Sequence, residues 1–85
     1  MQTKILKYNV IITKENKHYI AYVPTLDLSD FGKSVEEARK NVTQAIECHL
    51  EGLQKTGSEI PAHDVEFPYV SQTEVIFPHK IAPAF

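Results

Sequence analysis

Ser34-Val35-Glu36-Glu37-Ala38, opening a run that closes at Lys55-Thr56-Gly57, carries the strongest periodicity in the chain. Ser34 followed by Glu37 fits a capping box, in which the serine hydroxyl accepts the Glu37 amide and the glutamate reaches back to Ser34. Glu36 and Glu37 both fall in the first turn, where the helix dipole favours anions. Val35, Ala38, Val42, Ala45, Ile46, Leu50 and Leu53 recur at three- and four-residue steps, which predicts one apolar stripe. Gly57 supplies the left-handed residue that ends many helices, and Pro61 forbids continuation. The spacing predicts a helix from Val35 to about Thr56, roughly 33 Å long at ~1.5 Å per residue. Gly52 lies inside it at a cost of about 1 kcal/mol relative to alanine, so close packing is its expected purpose.

A stripe of this kind needs a sheet to cover. Lys4–Lys14 is rich in Ile, Val and Tyr, with Leu6, Tyr8, Val10 and Ile12 at period two, and reads as a strand. Glu15-Asn16-Lys17 has hairpin length, and Asn16 tolerates positive φ. Tyr19–Val23 reads as the antiparallel partner, closed by Pro24, which cannot donate to a ladder. Leu28–Phe31 is a short third strand ended by Gly32. Beyond the helix, Val65–Val70 and Thr73–Phe77 read as extended, with Pro68 and Pro78 limiting them to short or edge strands. The expected architecture is α+β: β-β-β-α-β, with an antiparallel sheet of three to four strands on one long helix. One domain over residues 1–85 is expected, with its core at about 4–77 and a loosely held tail at 78–85.

Composition narrows the function. A chain of 85 residues buries only about 60–65% of its unfolded surface, enough for one modest core. Nine Lys/Arg against eleven Asp/Glu give a net charge of −2, which argues against binding nucleic acid by bulk charge. The lysines concentrate in residues 1–33 and the acids in residues 34–64. One cysteine, Cys48, excludes an internal disulfide framework and reads as a half-buried core thiol. No apolar run is long enough to span a membrane, and no apolar leader segment follows Met1, so a soluble cytoplasmic protein is expected.

The chemistry-bearing residues form no catalytic set. A divalent-metal nuclease needs convergent carboxylates, some from strands, and neither of the first two strands offers one. Asp27 and Asp30 sit in or beside a turn, and most acids of residues 34–64 decorate a helix face. His18, His49, His63 and His79 have no zinc-pair spacing. Gly32, Gly52 and Gly57 cannot form a phosphate loop. No metal or cofactor is expected. Tyr8, Tyr19 and Tyr22 beside lysines could stack single-stranded RNA if they shared an open face. Half-buried packing is their simpler role. A small sheet with one helix leaves one face uncovered, and such faces are usually buried by a partner or a second copy.

Tyr19-Ile20-Ala21-Tyr22-Val23-Pro24, Gly32-Lys33-Ser34-Val35-Glu36-Glu37-Ala38, Ala45-Ile46, Leu50-Glu51-Gly52-Leu53 and Gly57-Ser58-Glu59-Ile60-Pro61 occur in this order over about residues 5–62. Together they resemble the HicB-like antitoxin family. The resemblance implies a partial ribonuclease H-like fold without the acidic centre. It implies neutralisation of a HicA-like mRNA-cleaving toxin by direct contact, and it implies homo-oligomers. Tyr22, Pro24, Leu28, Asp30 and Phe31 are the candidate contacts, offering apolar and acidic groups to a basic toxin. An orphan HicB-like domain that binds nucleic acid, or a divergent ribonuclease H-like nuclease, is the alternative.

The chain departs from the family pattern twice. Pro24-Thr25-Leu26-Asp27-Leu28 lacks the usual turn glycine and is about one residue shorter. The residues after Ala62 are strand-like and proline-broken, which does not suit a helix-turn-helix or ribbon-helix-helix module. Promoter binding by this chain alone is therefore not expected. The resemblance is to the short, stand-alone form of the family.

Overall fold

The computed structural model describes residues 3–66 and 69–78. Strand β1 spans Ile11–Glu15, β2 His18–Val23 and β3 Leu28–Gly32, followed by helix α1, Val35–Lys55. The sheet order is β1-β2-β3, and both pairings are antiparallel. The α+β expectation of an antiparallel sheet on one long helix therefore holds.

The helix ends where its sequence says it must. Ser34 is extended and its hydroxyl accepts the Glu37 N–H at 3.1 Å. The reciprocal bond differs from the capping-box expectation: Glu37 Oε1 accepts from the Lys33 N–H at 3.3 Å, one residue earlier. At the other end Gly57 takes φ +73°. The Ser58 N–H then reaches the Leu53 carbonyl at 2.9 Å and the Gly57 N–H reaches Gln54 at 3.2 Å. This is the paired pattern of a Schellman closure.

The core sits between α1 and the sheet. Ala21 and Val23 from β2, Leu26 from the following turn, and Ala38 and Val42 from α1 are its buried members. Tyr8, Val10, Ile12, Tyr19, Leu28 and Ile46 pack against them. Gly32 sets the spacing between layers. A Cβ placed there would lie 2.5 Å from the Ala38 nitrogen and 2.8 Å from the Glu37 carbonyl carbon, so only glycine lets β3 meet the first turn of α1.

Several expectations require correction. The first strand begins at Ile11, seven residues later than Lys4. Pairing stops at Ile11↔Tyr22 because β2 ends at Val23 before Pro24, and a strand cannot extend past its partner. Leu6, Tyr8 and Val10 are partly buried nonetheless, so their period-two reading survives without a ladder. Gly52 meets nothing within 4 Å and serves no close packing. Cys48 is exposed, because it lies on the helix flank away from Val42 and Ile46. Val35 is also largely exposed, at the end of the stripe. No strand forms after α1 among the described residues. Residues 65, 66 and 69–77 lie exposed with no ladder partner. Of the expected fourth strand, Phe67 and Pro68 fall outside the described residues, as do residues 79–85 of the expected tail.

Candidate protein-binding face

Side chains on a strand alternate between faces. Tyr19, Ala21 and Val23 of β2 point to the helix, so His18, Ile20 and Tyr22 point away. Residues directly opposite across the ladder share a face, which puts Ile11, Tyr22 and Ser29 in one row and Thr13, Ile20 and Phe31 in the next. Glu15 and His18 make a third row. No described element covers this side. Ile11 is 41% exposed, Tyr22 38% and Phe31 59%. The His18 ring meets Phe31 edge-on with centroids 5.8 Å apart, which stiffens one corner of the patch.

The turn after β2 borders the patch and is rigid. The Leu26 N–H reaches the Val23 carbonyl and the Asp27 N–H reaches Pro24, both at 3.2 Å. Leu26 is buried and anchors the loop. Asp27 takes φ +50°, the left-handed conformation that the missing glycine would have supplied. Aspartate tolerates it better than most residues. The Asp27 carboxylate accepts the Tyr22 hydroxyl at 3.1 Å. This bond, then desolvation and the Asp27 charge, raises the Tyr22 pKa above its usual 10.0.

The five candidate contacts do not all converge. Tyr22 and Phe31 stand on the open face, and Pro24 is exposed in the adjoining turn. Leu28 packs against the core from the helix side. Asp30 pairs with Ala21 and so shares the helix-facing side of the sheet. Its carboxylate accepts the Phe31 N–H at 2.8 Å. Ile11 and Ile20 complete the patch in their place; only the pairing register shows that they belong to it. Of the three tyrosines, Tyr8 and Tyr19 pack against the core and Tyr22 alone reaches the open face.

Sequence reasoning also missed Asp64, which ties three segments together. Its Oδ2 accepts the Asn9 N–H at 2.7 Å, its Oδ1 accepts the Thr25 hydroxyl at 2.7 Å, and its own N–H reaches the Lys7 carbonyl at 2.8 Å. The Tyr8 hydroxyl donates to the Pro61 carbonyl at 2.7 Å, and the Asn9 amide donates to Glu66 at 3.1 Å. The Asn9 and Thr25 bonds, with a smaller contribution from His63, hold the Asp64 carboxyl below its usual 3.8 against the opposing effect of desolvation. Contacts between residues 39 to 57 positions apart leave no local signature. Beside this latch, residues 4–8 and Val10 with helix residues Thr43, Ile46, Glu47 and Leu50 line an open cleft of about 550 Å³. No cluster of three or more His, Cys, Asp or Glu exists among the described residues. No described helix is long and apolar enough to cross a membrane.

No family model matches the chain, and no solved structure matches it. Curated relatives do. UPF0150 protein Ta0767 of Thermoplasma acidophilum is 40% identical over 63 residues, covering 72% of this chain and 91% of that protein. A UPF0150 protein of Helicobacter pylori is 43% identical over 47 residues, 54% of this chain and 65% of that one. An uncharacterized 14.9 kDa protein of Haemophilus phage HP1 is 31% identical over 68 residues, 79% of this chain but only 51% of the phage protein. None of these names states an activity. With two-fifths identity across nearly the whole length of the archaeal relative, the chain belongs to the UPF0150 family.

Proposed function

We propose that this chain is a protein-binding module of the HicB-like antitoxin type, which acts in the cytoplasm by masking a HicA-like mRNA-cleaving toxin through direct contact. The single observation behind this reading is the uncovered sheet face, where Ile11, Ile20, Tyr22 and Phe31 stand together beside a rigid turn. Exposed aromatic and aliphatic groups on a stiff scaffold suit a binding surface, because little side-chain entropy is lost on docking. Glu15 at one end of the face and Asp27 at the other offer carboxylates to a basic partner. The ordered motif set from Tyr19 to Pro61 supplies the family direction.

The test is co-expression with a HicA-like toxin, sought first among small basic proteins encoded beside this chain, with growth and complex formation measured together. The reading expects growth to be restored and a stoichiometric complex to elute. Continued growth arrest with no complex overturns it. RNA·DNA hybrid cleavage by the purified chain with magnesium or manganese points instead to the nuclease alternative, and salt-sensitive RNA or DNA binding without the toxin points to the nucleic-acid alternative.

A further inference from the structure

Residues 69–77, Tyr-Val-Ser-Gln-Thr-Glu-Val-Ile-Phe, have the composition of a strand and no strand to pair with. Six of the nine are aromatic or β-branched, one is charged, and none is glycine or proline. In water they lie bare: Val75 is 78% exposed and Ile76 99%. The molecule measures 65 × 27 × 21 Å, far longer than its sheet-and-helix body requires. An apolar arm of this length is not stable as a free extension.

The two sheet edges are not equivalent. On β3 the Phe31 N–H is taken by the Asp30 carboxylate and the Phe31 carbonyl by the Asn41 amide, both at 2.8 Å. Both groups therefore turn outward from the ladder, and both are occupied by the chain's own side chains, which caps half of this edge; Ser29 is its other outward residue. Antiparallel ladders alternate inward- and outward-facing residues. With Phe31 outward, its partner Ile20 turns its backbone toward β1 and Thr13. Ile12 and Lys14 then present their N–H and C=O groups to the free edge of β1. Among the described residues, no loop or side chain takes them. The latch at Asp64 and Glu66 holds the root of the arm against Asn9 and Thr25, at the end of the sheet where β1 begins and β2 has stopped.

We propose that residues 69–77 add as a fourth strand to the β1 edge of a second copy of this chain, in a mutual exchange that makes a two-fold dimer. A strand of nine residues reaches roughly 30 Å at ~3.3 Å per residue, more than enough to run the length of β1. No ladder joins the arm to its own β1 edge, and a second copy offers the same free edge. Exchange of an identical element is a low-cost route to a closed dimer. It pairs the bare backbone of Ile12 and Lys14 and shelters Val75, Ile76 and Phe77. It also leaves the proposed toxin-binding face in place, so it stands independently of that reading.

The experiment uses the full chain. Light scattering gives its mass, and isotope-filtered nuclear Overhauser spectra of mixed labelled and unlabelled chains report contacts between copies. Twice the chain mass of 9.7 kDa is expected, with intermolecular contacts from residues 69–77 to Ile11–Glu15. Val75→Pro removes a ladder donor outside the core. It should give a monomer with unchanged helical circular dichroism and lose exchange protection at Ile12 and Lys14. A monomeric wild type, arm contacts confined within one chain, or a Val75→Pro dimer with those amides still protected each overturns the proposal.

Discussion

The chain's three glycines sit in three different environments, so one chemical change should give three different results. Gly32→Ala puts a Cβ at 2.5 Å from the Ala38 nitrogen, 2.8 Å from the Glu37 carbonyl carbon and 2.9 Å from the Glu37 Cβ. The two nearest neighbours are backbone and cannot rotate aside. Restoring ordinary contact at about 3.4 Å moves the start of α1 nearly 1 Å off the sheet. Ala38 and Val42, both fully buried, are on the part of the helix that moves. Overpacking of this kind costs about 1–3 kcal/mol. At about 4–8 °C per kcal/mol for a domain of this size, the melting temperature should fall visibly. Gly52→Ala meets nothing within 4 Å at an exposed helical position, so it should gain up to about 1 kcal/mol from helix propensity. Gly57→Ala also has room but sits at φ +73°, which costs an alanine roughly 1–2 kcal/mol. Thermal and urea unfolding at one fixed protein concentration measures all three, because self-association would otherwise shift apparent stability. If Gly32→Ala matches the wild type within about 0.5 kcal/mol, or Gly52→Ala loses as much as Gly32→Ala, the layer-spacing argument is wrong.

Four further outcomes are expected. Ser34→Ala removes the acceptor of the Glu37 N–H and should cost about 1 kcal/mol in urea titrations. Val42→Ala, at a position with no exposure, should cost about 2–3 kcal/mol from two lost methylene equivalents and the cavity left behind. Asp64 has a folded-state pKa below its usual 3.8, so its contribution is fully present above that value and is lost as pH falls through the lowered one. Asp64→Asn should therefore flatten the acid limb of the melting-temperature profile, and an unchanged limb would sink the latch. Tyr22→Ser with Phe31→Ser, on the open face, should abolish capture of the proposed toxin partner while shifting stability by no more than about 1 kcal/mol.

Local rules carried the reading as far as local physics reaches. The helix was legible because capping, stripe and closure all lie within 24 consecutive residues, and its bounds agree with the structure at both ends. The hairpin at Asn16 was legible for the same reason, and Asn16 takes φ +56°. The true start of β1 was not, because it depends on where β2 stops. Nor could propensity say whether residues 69–77 have a partner, since pairing is a property of two segments. The candidate site split along the same line. Tyr22 and Phe31 were recognisable as exposed aromatics, but only the register separates them from Leu28 and Asp30. Asp64 was invisible because its partners are Lys7, Asn9 and Thr25.

The capping of Phe31 by Asp30 and Asn41 has a consequence for how this protein behaves when crowded. A fibre of stacked sheets needs two adhesive ends on every unit. Here one of the two outward-facing residues of the β3 edge, Phe31, is already satisfied by the molecule's own carboxylate and amide, while Ser29 stays open among the described residues. Direct sheet-to-sheet docking is therefore weaker at the β3 side than at the β1 side. Asn41→Ala would free the Phe31 carbonyl and strengthen that second adhesive end. The small sheet thus combines one fully open edge with one that is half closed to further addition.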